Sequence, residues 1–236
     1  TIEEPLREAY INQVGIRPER LIKVPNTPPQ KFAAIPVDQK IVDHYQQNFV
    51  LFYLGNIDVL RGMDIAVEAL PLLIDQIPEI RLVMAGRTWK GSNPLEKAKA
   101  LKVDPYIDFV GWLGVEDIPS YIQASDVCFH IPPVLREEND RTVATKIYQY
   151  LMIGKPVIVA QQKMEKELID RHQVGLAIRE NDPEDFARKV LQLYRDDNLR
   201  NQYARNARQI SKDLVWEGTI IPLIRAYDGM ESAYGQ

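Results

Sequence analysis

Cysteine is almost missing from this 236-residue chain, with Cys128 the single example. One cysteine excludes an internal disulfide and fits a reducing compartment. Its place in the apolar run VCFHI predicts a buried, unreactive thiol. No apolar run approaches the roughly eighteen residues of a membrane-spanning helix, and no leader-like segment opens the chain. The expected location is therefore cytoplasmic, at most peripheral to a membrane. There is no excess of basic charge: the net charge is −4 and the isoelectric point is near 5.5, which argues against a general nucleic-acid surface. His44, His130 and His172 are isolated, with no HExxH and no Cys/His spacing, so no metal site is expected. The acidic run Glu137, Glu138, Asn139, Asp140 reads as a solvated loop. GxGxxG, GxxxxGK[ST] and GxSxG are also missing, which removes the usual sequence marks of a dinucleotide site, a P-loop and a hydrolase nucleophile.

What remains is a globular composition, 45% hydrophobic and 26% charged, in which buried strands alternate with helices. A helix is predicted at about residues 5–14, closed by Gly15, and LIKV (21–24) reads as a short strand. PNTPPQKF (25–32) carries three prolines in eight residues and is the best linker in the chain. Irregular structure then leads to His44 and Tyr45. From Phe49 the pattern is regular: strands FVLFYL, IRLVMA, IDFVG, VCFHI, VIVA and GLAI, with helices near 63–77, 94–101, 116–124, 165–171 and 183–194. Two further helices, near 199–214 and 216–227, close the chain. Unalternating apolar strands separated by helices predict an α/β fold, a Rossmann-like parallel sheet with helices on both faces. Three strands end in glycine, at Gly55, Gly86 and Gly111, and ligands of such sheets lie beyond the strand ends.

The stretch 142–160, TVATKIYQYLMIGKPVIVA, organises the rest. Val143, Ile147, Tyr150 and Leu151 share one helical face, whereas Thr142, Lys146 and Gln149 form a polar stripe. Asp140 or Thr142 is placed to cap the helix start, and Gly154 and Pro156 to end it. A helix N-terminus in a strand-end cleft offers free N–H groups and a positive dipole to an anion. Arg61, just past the Gly55 loop, can fork onto a phosphate.

YLGNIDVLRGMDIAVEAL, LVMAG, IDFVGWLGVEDIPSYIQASDVCFHI and KIYQYLMIGKPVIVA follow one another in this order. Together they resemble the C-terminal, donor-binding domain of GT-B glycosyltransferases of group 1 (family 4), from about Leu21 to Tyr227. Within that resemblance the family's diphosphate-gripping GR…KG pair falls on Gly55, Asn56, Arg61 and Gly62. Asn56 replaces the arginine, and Arg61 keeps a cation in the lysine's place. The family's E-x7-E pair falls on Arg141, where the sugar-binding glutamate would stand, and on Gln149, where the ribose-binding glutamate would stand. The base would rest on backbone at Val110, Gly111 and Trp112. Arg87, Thr142, Thr145 and Lys146 complete the implied donor site, no catalytic residue is assigned, and Arg141 is placed to replace some charge lost at Asn56.

The resemblance implies a retaining, metal-independent hexosyl transfer from a UDP- or GDP-sugar, with no cofactor. The acceptor, a glycan or lipid-linked sugar, would be held by an N-terminal domain that this chain lacks. Residues 1–30 would be the tail of that domain and a linker, and residues 31–236 the donor-binding domain with its C-terminal helices. Alone, such a chain is expected to transfer no sugar. Neither a UDP-sugar epimerase nor a glycogen-type phosphorylase on the same fold is favoured by KIYQYLMIGKPV. The altered charges at Asn56, Arg141 and Gln149 speak for the alternative, a degenerate, non-catalytic sugar-nucleotide-binding or scaffold subunit.

Overall fold

The computed structural model describes residues 3–88, 94–133 and 141–234. Six strands form one sheet: β1 (Phe49–Leu54), β2 (Ile80–Ala85), β3 (Ile107–Gly111), β4 (Val127–His130), β5 (Val157–Val159) and β6 (Gly175–Ala177). Their spatial order is β3-β2-β1-β4-β5-β6, and every pair is parallel. β1 therefore pairs with β2 on one side and β4 on the other, and the chain runs outward from it in both directions. That reversal opens a crevice beyond the C-terminal ends of β1 and β4, where ligands of doubly wound sheets bind.

The unalternating strands are explained by burial on both faces. Leu51 and Tyr53 enter one core layer with α3 (Met63–Leu73) and α8 (Pro183–Arg195). Val50 and Phe52 enter the other with α5 (Ile118–Ala124) and α6 (Thr145–Ile153). Phe52 and Tyr53 are both fully buried, and a side chain of that size contributes about 2 kcal/mol on leaving water. Around this frame lie α1 (Glu4–Val14), α2 (Gln39–Tyr45), α4 (Pro94–Ala100), α7 (Lys163–His172), α9 (Asp197–Ser211), α10 (Trp216–Thr219) and α11 (Ile221–Tyr234). No helix among the described residues is long and apolar enough to cross a membrane.

Helix α6 has the apolar face the pattern required, with Ile147, Tyr150 and Leu151 fully buried. It is also tied to β1: the Leu54 N–H donates to the Tyr150 hydroxyl at 2.9 Å. Gly154 ends it in the left-handed region, its N–H donating to the Tyr150 and Leu151 carbonyls.

The start of α6 differs from expectation. Thr142 and Val143 precede the helix, Ala144 is extended at its cap, and no side chain caps it. The Ala144 N–H instead donates to Glu165 Oε1, 3.1 Å away on α7, so a tertiary contact sets the boundary. Asp140, the other expected cap, lies outside the described residues, as does the rest of the acidic run.

Residues 21–24 are not a strand. They run along α1, where Arg7 Nε donates to the Leu21 carbonyl and Lys23 pairs with the buried Glu3, and the sheet does not include them. The stretch expected to be irregular contains α2, whose cap is Asp38, accepting from the Lys40 N–H. The proline-rich segment is packed in place: Phe32 is buried, and the Pro28 carbonyl accepts from the Trp216 N–H at 3.0 Å. Cys128 is buried, and desolvation pushes its thiol up to about 12.

Candidate functional site

Two cavities adjoin at the first residue of α6, Thr145, which lines both. The first is polar, about 420 Å³, and is lined by Asn56, Arg61, Thr142 and Lys146 together with His130, Gln162 and Glu165. It lies at the crevice between the ends of β1 and β4.

The loop after β1 is shaped by two glycines. Gly62 has φ 76°, and a Cβ there would overlap the Ile131 carbonyl oxygen just past β4. Only glycine accepts both the backbone angle and the approach, and it fixes the turn Val59–Arg61 that carries the guanidinium. Gly55, at φ 141°, leaves room for the Lys146 ammonium, which a Cβ would displace. Lys146 donates to the Tyr53 hydroxyl at 3.3 Å and stands over the Tyr53 ring, 4.5 Å from its centroid. The Tyr53 hydroxyl in turn donates to the Asn56 carbonyl at 2.9 Å.

Charge in this cavity is unbalanced. Among the described residues, neither Arg61 nor Lys146 forms an ion pair. Burial, and then repulsion by Arg61, lower Lys146 to about 7, with Glu165 and Asp58 pulling the other way. The N–H groups of the first turn of α6 lack intrahelical partners and add a positive dipole. Two cations and a helix N-terminus, facing the Glu165 carboxylate that His130 and the Ala144 N–H hold, make an anion site. Across the cavity, His130 Nδ1 lies 2.9 and 3.0 Å from the two carboxylate oxygens of Glu165. Burial pushes the His130 imidazole below the usual histidine range, against the pull of Glu165. Among the described residues, no three His, Cys, Asp or Glu side chains are grouped to hold a metal ion.

The second cavity, about 590 Å³, is mainly apolar. Pro28, Pro29, Ile35 and Pro36 line it together with Val115 and Gln149. Asn26 Nδ2 donates to Thr145 Oγ1 at 2.8 Å, so the proline-rich segment is fastened to the start of α6.

The residues picked out in the sequence thus divide. Asn56, Arg61, Thr142, Thr145 and Lys146 come together in the polar cavity, with Gly55 and Gly62 shaping it. Gln149 opens onto the apolar one, so the expected single polar stripe serves two places. Val110, Gly111, Trp112, Arg87 and Arg141 line neither. Trp112 is 68% exposed, and the Arg87 guanidinium covers its ring at 4.7 Å. The sequence marks neither Gln162 nor Glu165, and it offers His130 only as an isolated histidine, because lone residues on a strand and a helix start carry no motif.

The family model described as glycosyl transferases group 1 matches residues 35–210. The chain belongs to the group 1 glycosyl transferases. Spore coat protein SA of Bacillus subtilis (strain 168) is 22% identical over 188 residues, 76% of this chain and 48% of that protein. The chain spans about half the length of the curated relatives it matches. The crystal structure of Anabaena Alr3699/HepE in complex with UDP superposes with a TM-score of 0.80 at 18% identity, over 97% of this chain and 63% of that one. The C-terminal domain of a group 1 glycosyl transferase (LpcC) from Francisella tularensis gives 0.65 at 17% identity, over 78% of this chain and 97% of that one. The Rossmann-like sheet is one half of the GT-B fold.

Proposed function

We propose that this chain is the donor-binding half of a retaining, metal-independent hexosyltransferase that uses a nucleotide-sugar. The observation that carries the reading is the pair of cations, Arg61 and Lys146, which face a cavity at the sheet's crevice and form no ion pair among the described residues. In this reading the donor diphosphate lies between them and the N-terminus of α6. The nucleoside passes Thr145, its ribose beside Gln149 and its base in the apolar cavity. When the sugar–phosphate bond breaks, negative charge grows on the leaving diphosphate. Preset positive groups in a partly desolvated site stabilise that charge without a metal ion or reorganisation. Retention of configuration follows from the resemblance. The acceptor, a glycan or lipid-linked sugar, is held by a domain outside this chain. The structures of HepE with UDP and with UDP-glucose support a nucleotide-sugar donor.

Titration calorimetry with UDP and GDP tests the reading. One of them should bind this chain in the high-micromolar to millimolar range, on the order of 4–6 kcal/mol, and no sugar should be transferred. Binding of neither nucleotide would overturn the donor site, and transfer by this chain alone would overturn the half-enzyme assignment. Arg141 and Gln149, where the family carries glutamates, favour the second reading, a non-catalytic binding subunit. Turnover of labelled nucleotide-sugars by the full-length gene product separates the two.

A further inference from the structure

One wall of the polar cavity carries groups that a diphosphate does not use. Gln162 caps α7 and is 2% exposed, yet its Nε2 has no hydrogen-bond partner. A buried amide N–H without an acceptor is costly, and native structures rarely leave one so. Beside it in the lining, His130 ends β4 and is 4% exposed. Glu165, 1% exposed, holds His130 Nδ1 and also accepts the Ala144 N–H.

A carboxylate can only accept, so the imidazole proton sits on Nδ1. Burial, with Lys146 and Arg61 close by, keeps the ring neutral. Nε2 is then an acceptor, and among the described residues no group donates to it. The cavity thus offers one unused buried donor and one unused acceptor beside its two cations. An ionised phosphate oxygen has no hydrogen to give, so it leaves the acceptor idle. A hydroxyl group satisfies both, donating to His130 and accepting from Gln162.

Resting on the donor-binding reading, we infer that His130 and Gln162 recognise a hydroxyl group of the transferred sugar, with Glu165 as the positioning residue that fixes the imidazole. Arg141 stands where the family's sugar-binding glutamate would be and lines neither cavity, so the sugar is read from β4 and α7 instead. The substrate class is a neutral, hydroxylated sugar on a nucleoside diphosphate.

The test is calorimetry of this chain with UDP, GDP, UDP-glucose, UDP-galactose, UDP-N-acetylglucosamine and GDP-mannose. At least one nucleotide-sugar should bind roughly three- to tenfold more tightly than its own diphosphate, the worth of one or two neutral hydrogen bonds. Gln162→Leu should abolish that gain, change affinity for the diphosphate less than twofold, and raise the melting temperature of the free chain. A second readout is the His130 nitrogen resonances: Nε2 should shift with the nucleotide-sugar and stay in place with UDP or GDP. Equal weakening of diphosphate and nucleotide-sugar by Gln162→Leu would assign Gln162 to phosphate and overturn the inference. Diphosphate binding with no sugar gain across the panel would overturn it too, while leaving the donor site standing. Absence of any binding would instead strike the donor reading beneath it.

Discussion

The two cavities that meet at Thr145 are built in opposite ways. The polar one is gathered from four separated places: the loop after β1, the end of β4, the start of α6 and the start of α7. The apolar one is mostly a single run, residues 26–36, laid against α6 and Val115. The first holds two cations that form no ion pair among the described residues and the unpaired Gln162 amide, whereas the second offers prolines and aliphatic surface. A ligand charged at its middle and flat and apolar at one end matches the pair. Damage should follow the same division. The gathered cavity depends on backbone geometry far from the ligand, and the continuous one on local side chains.

Gly62→Val should break the comparison most severely. The branched side chain meets the Ile131 carbonyl at a positive φ, and unfolding experiments should register a loss of about 3 kcal/mol. Diphosphate binding should vanish with it, because the turn carrying Arg61 cannot close. Full stability in this variant would mean that the turn does not hold the polar cavity.

Arg61→Ala removes charge and leaves the frame alone. Binding of UDP or GDP, whichever is the ligand, should weaken by roughly 1.5–3 kcal/mol, the worth of a hydrogen bond to a charged group. Binding of the bare nucleoside, which would use only the apolar cavity, should hold, as should the melting temperature. Equal losses for nucleoside and diphosphate would merge the two cavities into one and refute their separation.

Lys146 gives the polar cavity a pH dependence that the apolar one lacks. Its pKa is lowered to about 7, chiefly by burial and next by Arg61, so the cation that a diphosphate needs is present below that value and lost above it. Diphosphate affinity should fall as pH rises from 7 to 9, by up to about tenfold per unit. Lys146→Met should flatten the profile, and nucleoside binding should be level throughout. The sign for stability is opposite. The unfolded chain, with an ordinary lysine, binds more protons than the folded one between about 7 and 10.5. Stability from this group therefore rises across that window, and Lys146→Met should stabilise the free chain most below pH 7.

The smallest effect belongs to the apolar side. Restoring a carboxylate by Gln149→Glu should tighten UDP or GDP by about 1 kcal/mol, the difference between a neutral and a charged hydrogen bond to a ribose hydroxyl. The 2′,3′-dideoxy compound should gain nothing. Weaker binding of the ordinary nucleotide would remove ribose from Gln149.

The sheet was legible because burial on both faces leaves apolar runs without alternation, as in FVLFYL and LVMA after Arg81, and glycine marks the ends of three of the strands. The apolar face of α6 was legible for the same reason, from Ile147, Tyr150 and Leu151. LIKV misled, since four apolar or long-chain residues look alike whether they pair in a sheet or lie against a helix such as α1. Helix α2 was missed despite Asp38 at its cap, because its short run QKIVDHY has little apolar periodicity. Arg61 and Lys146 could be singled out from position and motif. No local pattern could place Glu165 against His130, 35 residues apart, or end the extended run at Ala144. Those facts come from packing between α7 and β4, which sequence spacing does not encode. Gln162 was invisible for a further reason: its importance lies in the partner it lacks.

The central claim is that a donor diphosphate sits between Arg61 and Lys146, with the nucleoside passing Thr145 into the apolar cavity. Soaking UDP, and separately GDP, into crystals of this chain and solving the structure tests it most directly. The account predicts phosphate density within hydrogen-bonding reach of the Arg61 guanidinium and the Lys146 ammonium, ribose beside Gln149, and the base against Val115 and the prolines of residues 28–36. Nucleotide bound with its phosphates away from both cations, or with its base outside the apolar cavity, would contradict it.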